Sequence, residues 1–216
     1  MPAIEPLPLD DRGSFAWLAG GNDPMSRCSC ALVVDGGCLV IDPVDVPGLD
    51  DALSAIGPVL GVVTLLDRHQ RDAAAVAARL GVERMLPAVL GGGLHVDGVE
   101  ERTVIDRRSW HESLLWLPDR RLLVCAETLA TADPFLAHAR DRLGMHPLAR
   151  IRVPRRAFAG LDPLAIVVGH GPPLRDGASP ALRRTLDTAC LSLPRHLARL
   201  APAVVRALRS ARRARR

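Results

Sequence analysis

Apolar positions along this chain fall mostly into short runs of strand length, separated by Gly, Pro and Asp, with helical spacing in between. The first 25 residues are rich in Pro, Gly and Asp and carry no long periodic run, which predicts an edge strand and loops. Ala31 to Val34 and Cys38 to Ile41 are β-rich runs separated by Asp35-Gly36-Gly37, the pattern of a hairpin. Asp42-Pro43 ends it, because proline cannot donate to a central ladder. A helix over 47–56 leads to Val59 to Leu66, an apolar run that suits a strand buried on both faces.

A charged loop, Asp67-Arg68-His69-Gln70-Arg71-Asp72, follows directly, and Ala73 to Leu80 reads as a helix closed by Gly81. Strand, charged loop and helix is the layout of an α/β site, since binding groups collect at the carboxyl ends of strands. Residues 84–125 read as short strands, the clearest being Ser113 to Leu117 and Leu122 to Cys125. A helix over 134–143 comes next, then a second buried strand, Leu164 to Val168, ending in Gly169-His170-Gly171. A helix near 180–190 and a basic tail finish the chain.

The order and spacing of these polar strand ends resemble the metallo-β-lactamase superfamily over roughly residues 15 to 190. Its HxHxDH motif, placed after a buried strand and before a helix, corresponds to Asp67-x-His69-x-Arg71-Asp72. Its GDTL-like strand end corresponds to Ala126-Glu127-Thr128-Leu129, and its closing strand and GHG to Gly169-His170-Gly171. The resemblance implies an α/β (α+β) fold, a four-layer αββα sandwich. It also implies a centre at which divalent ions held by imidazoles and carboxylates from several strand ends activate a water.

Of the family's ligands, His69 and His170 match outright, Glu127 matches in type, and Asp67 and Asp72 stand where His is usual. Two departures oppose metal. Arg71 takes the place of the motif's Asp, and Arg108, counted back from Trp116-Leu117-Pro118, takes the place of the mid-chain His. A guanidinium cannot ligate a metal, and about 4 Å from a divalent ion it would be repelled by roughly 8 kcal/mol at an effective dielectric near 20. His111, three residues beyond Arg108, is the alternative mid-chain ligand.

Two readings stand at this point. One is a hydrolase in which Asp67 or Asp72, His69, His111, Glu127 and His170 hold a single zinc or iron ion, whose water attacks an ester, thioester, amide or phosphodiester. The other is a metal-free, non-catalytic relative in which Arg71 and Arg108 pair with Asp67, Asp72 and Glu127 and the former metal cleft takes an anionic ligand or partner. Each residue also has a plain reading. Asp72 begins a helix and can cap it, Asp67 can end a strand as a turn residue, and Glu127 can simply bind Arg. His170 stands out because small neighbours let an imidazole project at a strand end. His95, His138, His146 and His196 have no partner spacing and read as surface or core residues.

Composition changes this picture little. The chain of 216 residues is 48% apolar and 24% charged, which suits one globular body, read here as a domain over 1–193 followed by a basic amphipathic tail over 194–216. All 28 basic residues are Arg, and eight of them lie in the last 22 residues with no acid, so the net charge of +4 hides a body near −4. Leu197, Leu200, Val204 and Leu208 recur at helical spacing in that tail, which predicts a docked helix with a solvated end, or weak contact with an anionic membrane. Aromatic residues make up 3% and Tyr is absent, so base stacking has little to work with and nucleic acid is disfavoured.

The absence of a signal-like start or a spanning apolar run points to a cytoplasmic body. Five Cys give no disulfide framework, and Cys28-Ser29-Cys30 lacks a zinc-ribbon spacing. Gly91-Gly92-Gly93 lacks the Lys-Ser/Thr of a phosphate loop and reads as a turn.

Overall fold

The computed structural model describes residues 4–20, 23 and 25–214, with side chains to residue 201. Six strands form the first sheet in sequence order: β1 (Leu7–Pro8), β2 (Phe15–Leu18), β3 (Cys28–Val34), β4 (Gly37–Ile41), β5 (Val59–Val63) and β6 (Arg84–Met85). The hairpin at Asp35-Gly36 forms as its turn chemistry requires, with β3 antiparallel to β4, whereas β4, β5 and β6 run parallel. Helices α1 (Leu49–Ser54) and α2 (Ala73–Leu80) supply the crossovers, and α2 ends at Gly81 in the left-handed conformation. They cover one face, where Ala31, Val40 and Val62 meet Leu49, Leu53 and Val76.

The alternate residues Leu32, Leu39, Ile41 and Val63 point to the other face and enter the main core. There they meet the second sheet, ordered β12 (Ala165–Val167), β9 (Leu122–Val124), β8 (Trp110–Leu117) and β7 (Glu100–Arg107). Helices α3 (Pro147–Ile151) and α4 (Ala178–Ala214) close its far side, with Ala149, Leu182 and Ala189 in the same core. The layers are therefore helix, sheet, sheet, helix. A short ribbon, β10 (Leu129–Ala130) with β11 (Gly144–Met145), stands beside them.

One predicted element does not form. Residues 134–143 are not an α-helix but a 3-10 turn at Asp133–Phe135 followed by loop. Side chains from distant elements take the carbonyls that a helix would use internally. His196 Nε2 lies 2.8 Å from the Pro134 carbonyl, and Arg150 Nη2 donates to the Phe135 carbonyl at 3.0 Å. The final helix is longer than predicted and runs unbroken through residue 194. It is docked by the buried His196 and by an ion pair between Arg199 and Asp133, while Leu197 of the expected apolar stripe is exposed. Val204 and Leu208 of that stripe lie outside the residues whose side chains are described. No described helix is long and apolar enough to cross a membrane.

Candidate functional site

The carboxyl ends of β4, β5, β9 and β12 converge on one edge of the sandwich. Beyond Val63 the chain leaves the first sheet and bonds to the second, with Ser113 N donating to the Leu65 carbonyl and Asp67 N to the His111 carbonyl. This brings the 67–72 loop beside Glu127 and His170. Two glycines permit the approach: a Cβ at Gly169 would sit 2.2 Å from the Ala126 carbonyl oxygen and 2.6 Å from His69 Cε1, and one at Gly171 2.3 Å from Thr131 Oγ1.

His69 is buried and held by a carboxylate. Its Nδ1 lies 3.0 Å from Asp42 Oδ2, while Asp42 Oδ1 accepts from Leu65 N at 2.9 Å. His170 Nδ1 lies 3.1 Å from the Met25 carbonyl. The two imidazoles pack against each other edge to face, with centroids 5.2 Å apart at 74°, and Phe135 stacks on the outer face of His170. Burial first, then the charges of His69 and Arg71, push the His170 pKa down to about 4, so this ring is neutral near pH 7.

Arg71 is the centre of the arrangement. Its Nη1 donates to the carbonyls of Cys28 at 2.6 Å and Asp42 at 2.8 Å, and its Nη2 to the carbonyl of Gly169 at 2.8 Å. One guanidinium thus joins the ends of β3, β4 and β12. Burial lowers its pKa and the nearby Asp42 carboxylate opposes this. The backbone at Arg71 is left-handed (φ 41°), which costs an L-residue roughly 1–2 kcal/mol and is offset by these bonds.

The expected pairing of Arg71 and Arg108 with Asp67, Asp72 and Glu127 is not what the structure shows. Arg71 binds carbonyls, and Arg108 is exposed in the turn between β7 and β8. The β7–β8 pairing runs on past Ser113 to Trp110, which places Arg108 beyond the strand. Glu127 is instead held by Arg68, Nη2 to Oε2 2.6 Å, and Arg68 in turn lies 4.6 Å over the Trp110 ring. Burial raises the Glu127 pKa, but the Arg68 hydrogen bond and charge, with His146 and His69, outweigh it and hold the carboxyl below its usual range.

The remaining acids and His111 turn elsewhere. Asp67 Oδ2 accepts from the backbone of His111 at 3.1 Å, and Asp72 Oδ2 accepts from Asp45 N at 2.9 Å. Asp72 stands at the N-cap of α2 without capping it by its side chain. His111 Nδ1 lies 2.9 Å from Asp106, its partner across the β7–β8 pair, on the strand face opposite Trp110 and Glu112. Among the described residues, no three His, Cys, Asp or Glu side chains are placed to hold a metal ion.

Several residues at the site carried no signal of their own. Asp42 read only as a strand terminator, although an acid at the end of β4, parallel to the strand before the loop, was the available clue. His146 lies with its Nε2 3.9 Å from Glu127 and its ring edge-on to Trp110. Burial lowers its pKa, against the Glu127 carboxylate. Glu112, fully buried, accepts from Glu127 N, Thr128 N, Thr128 Oγ1 and Trp110 Nε1 and fixes the 127–128 turn.

This fold recurs in solved structures. The DIM-1 metallo-β-lactamase exposed to ceftazidime is similar over 87% of this chain and 98% of its own, with a TM-score of 0.57 and 12% identity. The metallo-β-lactamase from Hirschia baltica covers 89% and 98%, with a TM-score of 0.59 and 10% identity. The mono-zinc form of an NDM_FIM-1-like enzyme from Erythrobacter litoralis covers 86% and 96%, at 0.55 and 14%. No protein-family model and no curated relative matches the sequence. The chain has the metallo-β-lactamase fold. At such identities the likeness establishes the fold alone.

Proposed function

We propose that this chain is a metal-independent protein on the metallo-β-lactamase fold, one that acts by binding a ligand and not by hydrolysis. The observation that carries this reading is Arg71, a fixed cation bonded to the carbonyls of Cys28, Asp42 and Gly169 at the strand ends where the resemblance would put metal. A divalent ion there would meet a positive charge that cannot lose its proton.

The donor set agrees. His69 and His170 keep ring partners of the kind that orient metal ligands, but two imidazoles packed on each other fall short of the three protein ligands a catalytic zinc needs. Asp72 and His111 are bound elsewhere and Glu127 is neutralised by Arg68; Asp67 Oδ1 and His69 Nε2 are buried without a partner, but among the described residues they do not come together with His170 as a three-ligand group. What the strand ends offer a ligand is the lip of Arg68, Glu127 and His146, backed by the buried Trp110, a polar and nearly charge-balanced surface suited to a small polar molecule. An anionic ligand is not favoured at this lip, because Arg71 is turned to backbone carbonyls and Arg108 is remote. We place the protein in the cytoplasm, with the basic end of α4 making at most weak contact with anionic membranes.

The test is hydrolysis of ester, thioester, lactam and phosphodiester substrates with added zinc or iron, comparing the wild type with His69→Ala/His170→Ala. The expected result is no rate above that of the double variant. A metal-dependent rate that the double variant loses would overturn the proposal.

A further inference from the structure

On the far side of the second sheet, a cavity of about 280 Å³ lies between the 140–143 loop, α3 and the first turns of α4. Four guanidinium groups line it, those of Arg140, Arg142, Arg150 and Arg184, against the single carboxylate of Asp141. Arg140, Arg142 and Arg184 are exposed, and among the described residues none of them has a carboxylate partner. Asp141 is itself engaged, its Oδ2 accepting from His138 N at 2.8 Å.

Arg150 makes the excess more than a surface accident. It is 2% exposed, and among the described residues no carboxylate forms an ion pair with it, Asp141 acting on its charge only through space. Its guanidinium donates only to neutral acceptors, the Met145 and Phe135 carbonyls and Ser192 Oγ. Buried charges in proteins are paired or bind ions, and this one forms part of the wall of a cavity whose other cations are also unpaired. The N-terminal turn of α4 adds no acid to offset its own positive end. Leu143, Pro180 and Ala181 give the cavity an apolar side, so it suits a small organic anion and not merely a hydrated ion.

We propose that this cavity is a binding site for a soluble, multiply charged anion of the phosphate-ester or diphosphate class, with Arg142, Arg184 and Arg140 as its reaching donors and Arg150 as the fixed charge behind them. Planar guanidinium groups match phosphate oxygens two bonds at a time. The site is separate from the strand-end cleft and stands whether or not that cleft binds metal.

Inorganic pyrophosphate is the probe, followed by calorimetry on the full chain at low and moderate salt. The expected result is saturable one-to-one binding that weakens with salt, falls at least tenfold in Arg142→Ala/Arg184→Ala, and is unchanged in Arg107→Ala. Because the two substituted arginines are exposed, the double variant should unfold at the wild-type midpoint, and circular dichroism confirms that it is folded. Absence of saturable binding, or equal binding by the double variant, would overturn the proposal. So would binding to phosphatidylglycerol vesicles that depends on Arg142 and Arg184 while pyrophosphate does not bind, since the phosphate would then belong to a lipid surface.

Discussion

Arg71 and Arg150 are both enclosed, and they end in different circumstances. Arg71, at the strand-end cleft, is surrounded by carbonyls from three strand ends and has the Asp42 carboxylate close by. Arg150, behind the second sheet, also binds carbonyls and has the Asp141 carboxylate nearby, but that one acid, itself bonded to His138 N, faces four guanidinium groups in the same cavity. On the reading proposed above, the first cation is complete within the chain and stands in for an external ion. The second is incomplete and calls for one. The sign of a buried charge therefore says less about ligand binding than whether the chain itself supplies the counter-charge.

The largest effect should come from Arg71. Arg71→Met strands three carbonyls and leaves Asp42 without its neighbouring cation, which predicts a loss of about 4 kcal/mol in denaturant unfolding. A loss below about 1 kcal/mol would mean that Arg71 is not the tie between the sheets.

Next is pH. The His170 pKa of about 4 in the folded chain lies below the ordinary 6.5, so the unfolded chain takes up its proton first as the pH falls. The contribution is full above about pH 6.5 and declines towards pH 4, by roughly 3 kcal/mol in all. His170→Asn should flatten the stability profile across that window, and an unchanged slope would contradict the assignment.

Arg150→Met sharpens the comparison from the other side. It also leaves two carbonyls without a donor but removes one positive charge from a cluster of four that faces a single acid, so about 2 kcal/mol is expected, half the effect at Arg71. Equal losses at the two positions would break the distinction. The smallest effect should be at Arg79, which bonds to both Asp45 and Asp50 but at the surface. Arg79→Ala should cost less than about 1 kcal/mol, since enclosure and not the number of bonds sets the value.

Much of the fold was legible because each buried strand was followed by a polar strand end and, in the first half, by a helix. Val59 to Val63, the charged loop and Ala73 to Leu80 fell where the apolar periods and Gly81 put them. The helix expected over 134–143 failed because its apolar positions are served by a loop whose carbonyls are held by Arg150 and His196, partners that no local pattern reveals. The site was legible in part. His69, Glu127 and His170 are brought to one edge, as their strand-end positions required. Arg71 was recognised as hostile to metal, but its partners were not, because backbone carbonyls leave no trace in a sequence. Asp42 and Arg68 were hidden for a related reason: their roles depend on parallel strand ends meeting in space, not on spacing along the chain.

The central claim is that Arg71 has replaced metal at the strand ends. Elemental analysis of untagged protein, purified from cells grown with supplemental zinc and iron, tests it most directly when the His69→Ala/His170→Ala variant is measured beside it. The account predicts that neither protein carries a stoichiometric metal. Close to one equivalent of zinc or iron in the wild type, lost in the double variant, would contradict it.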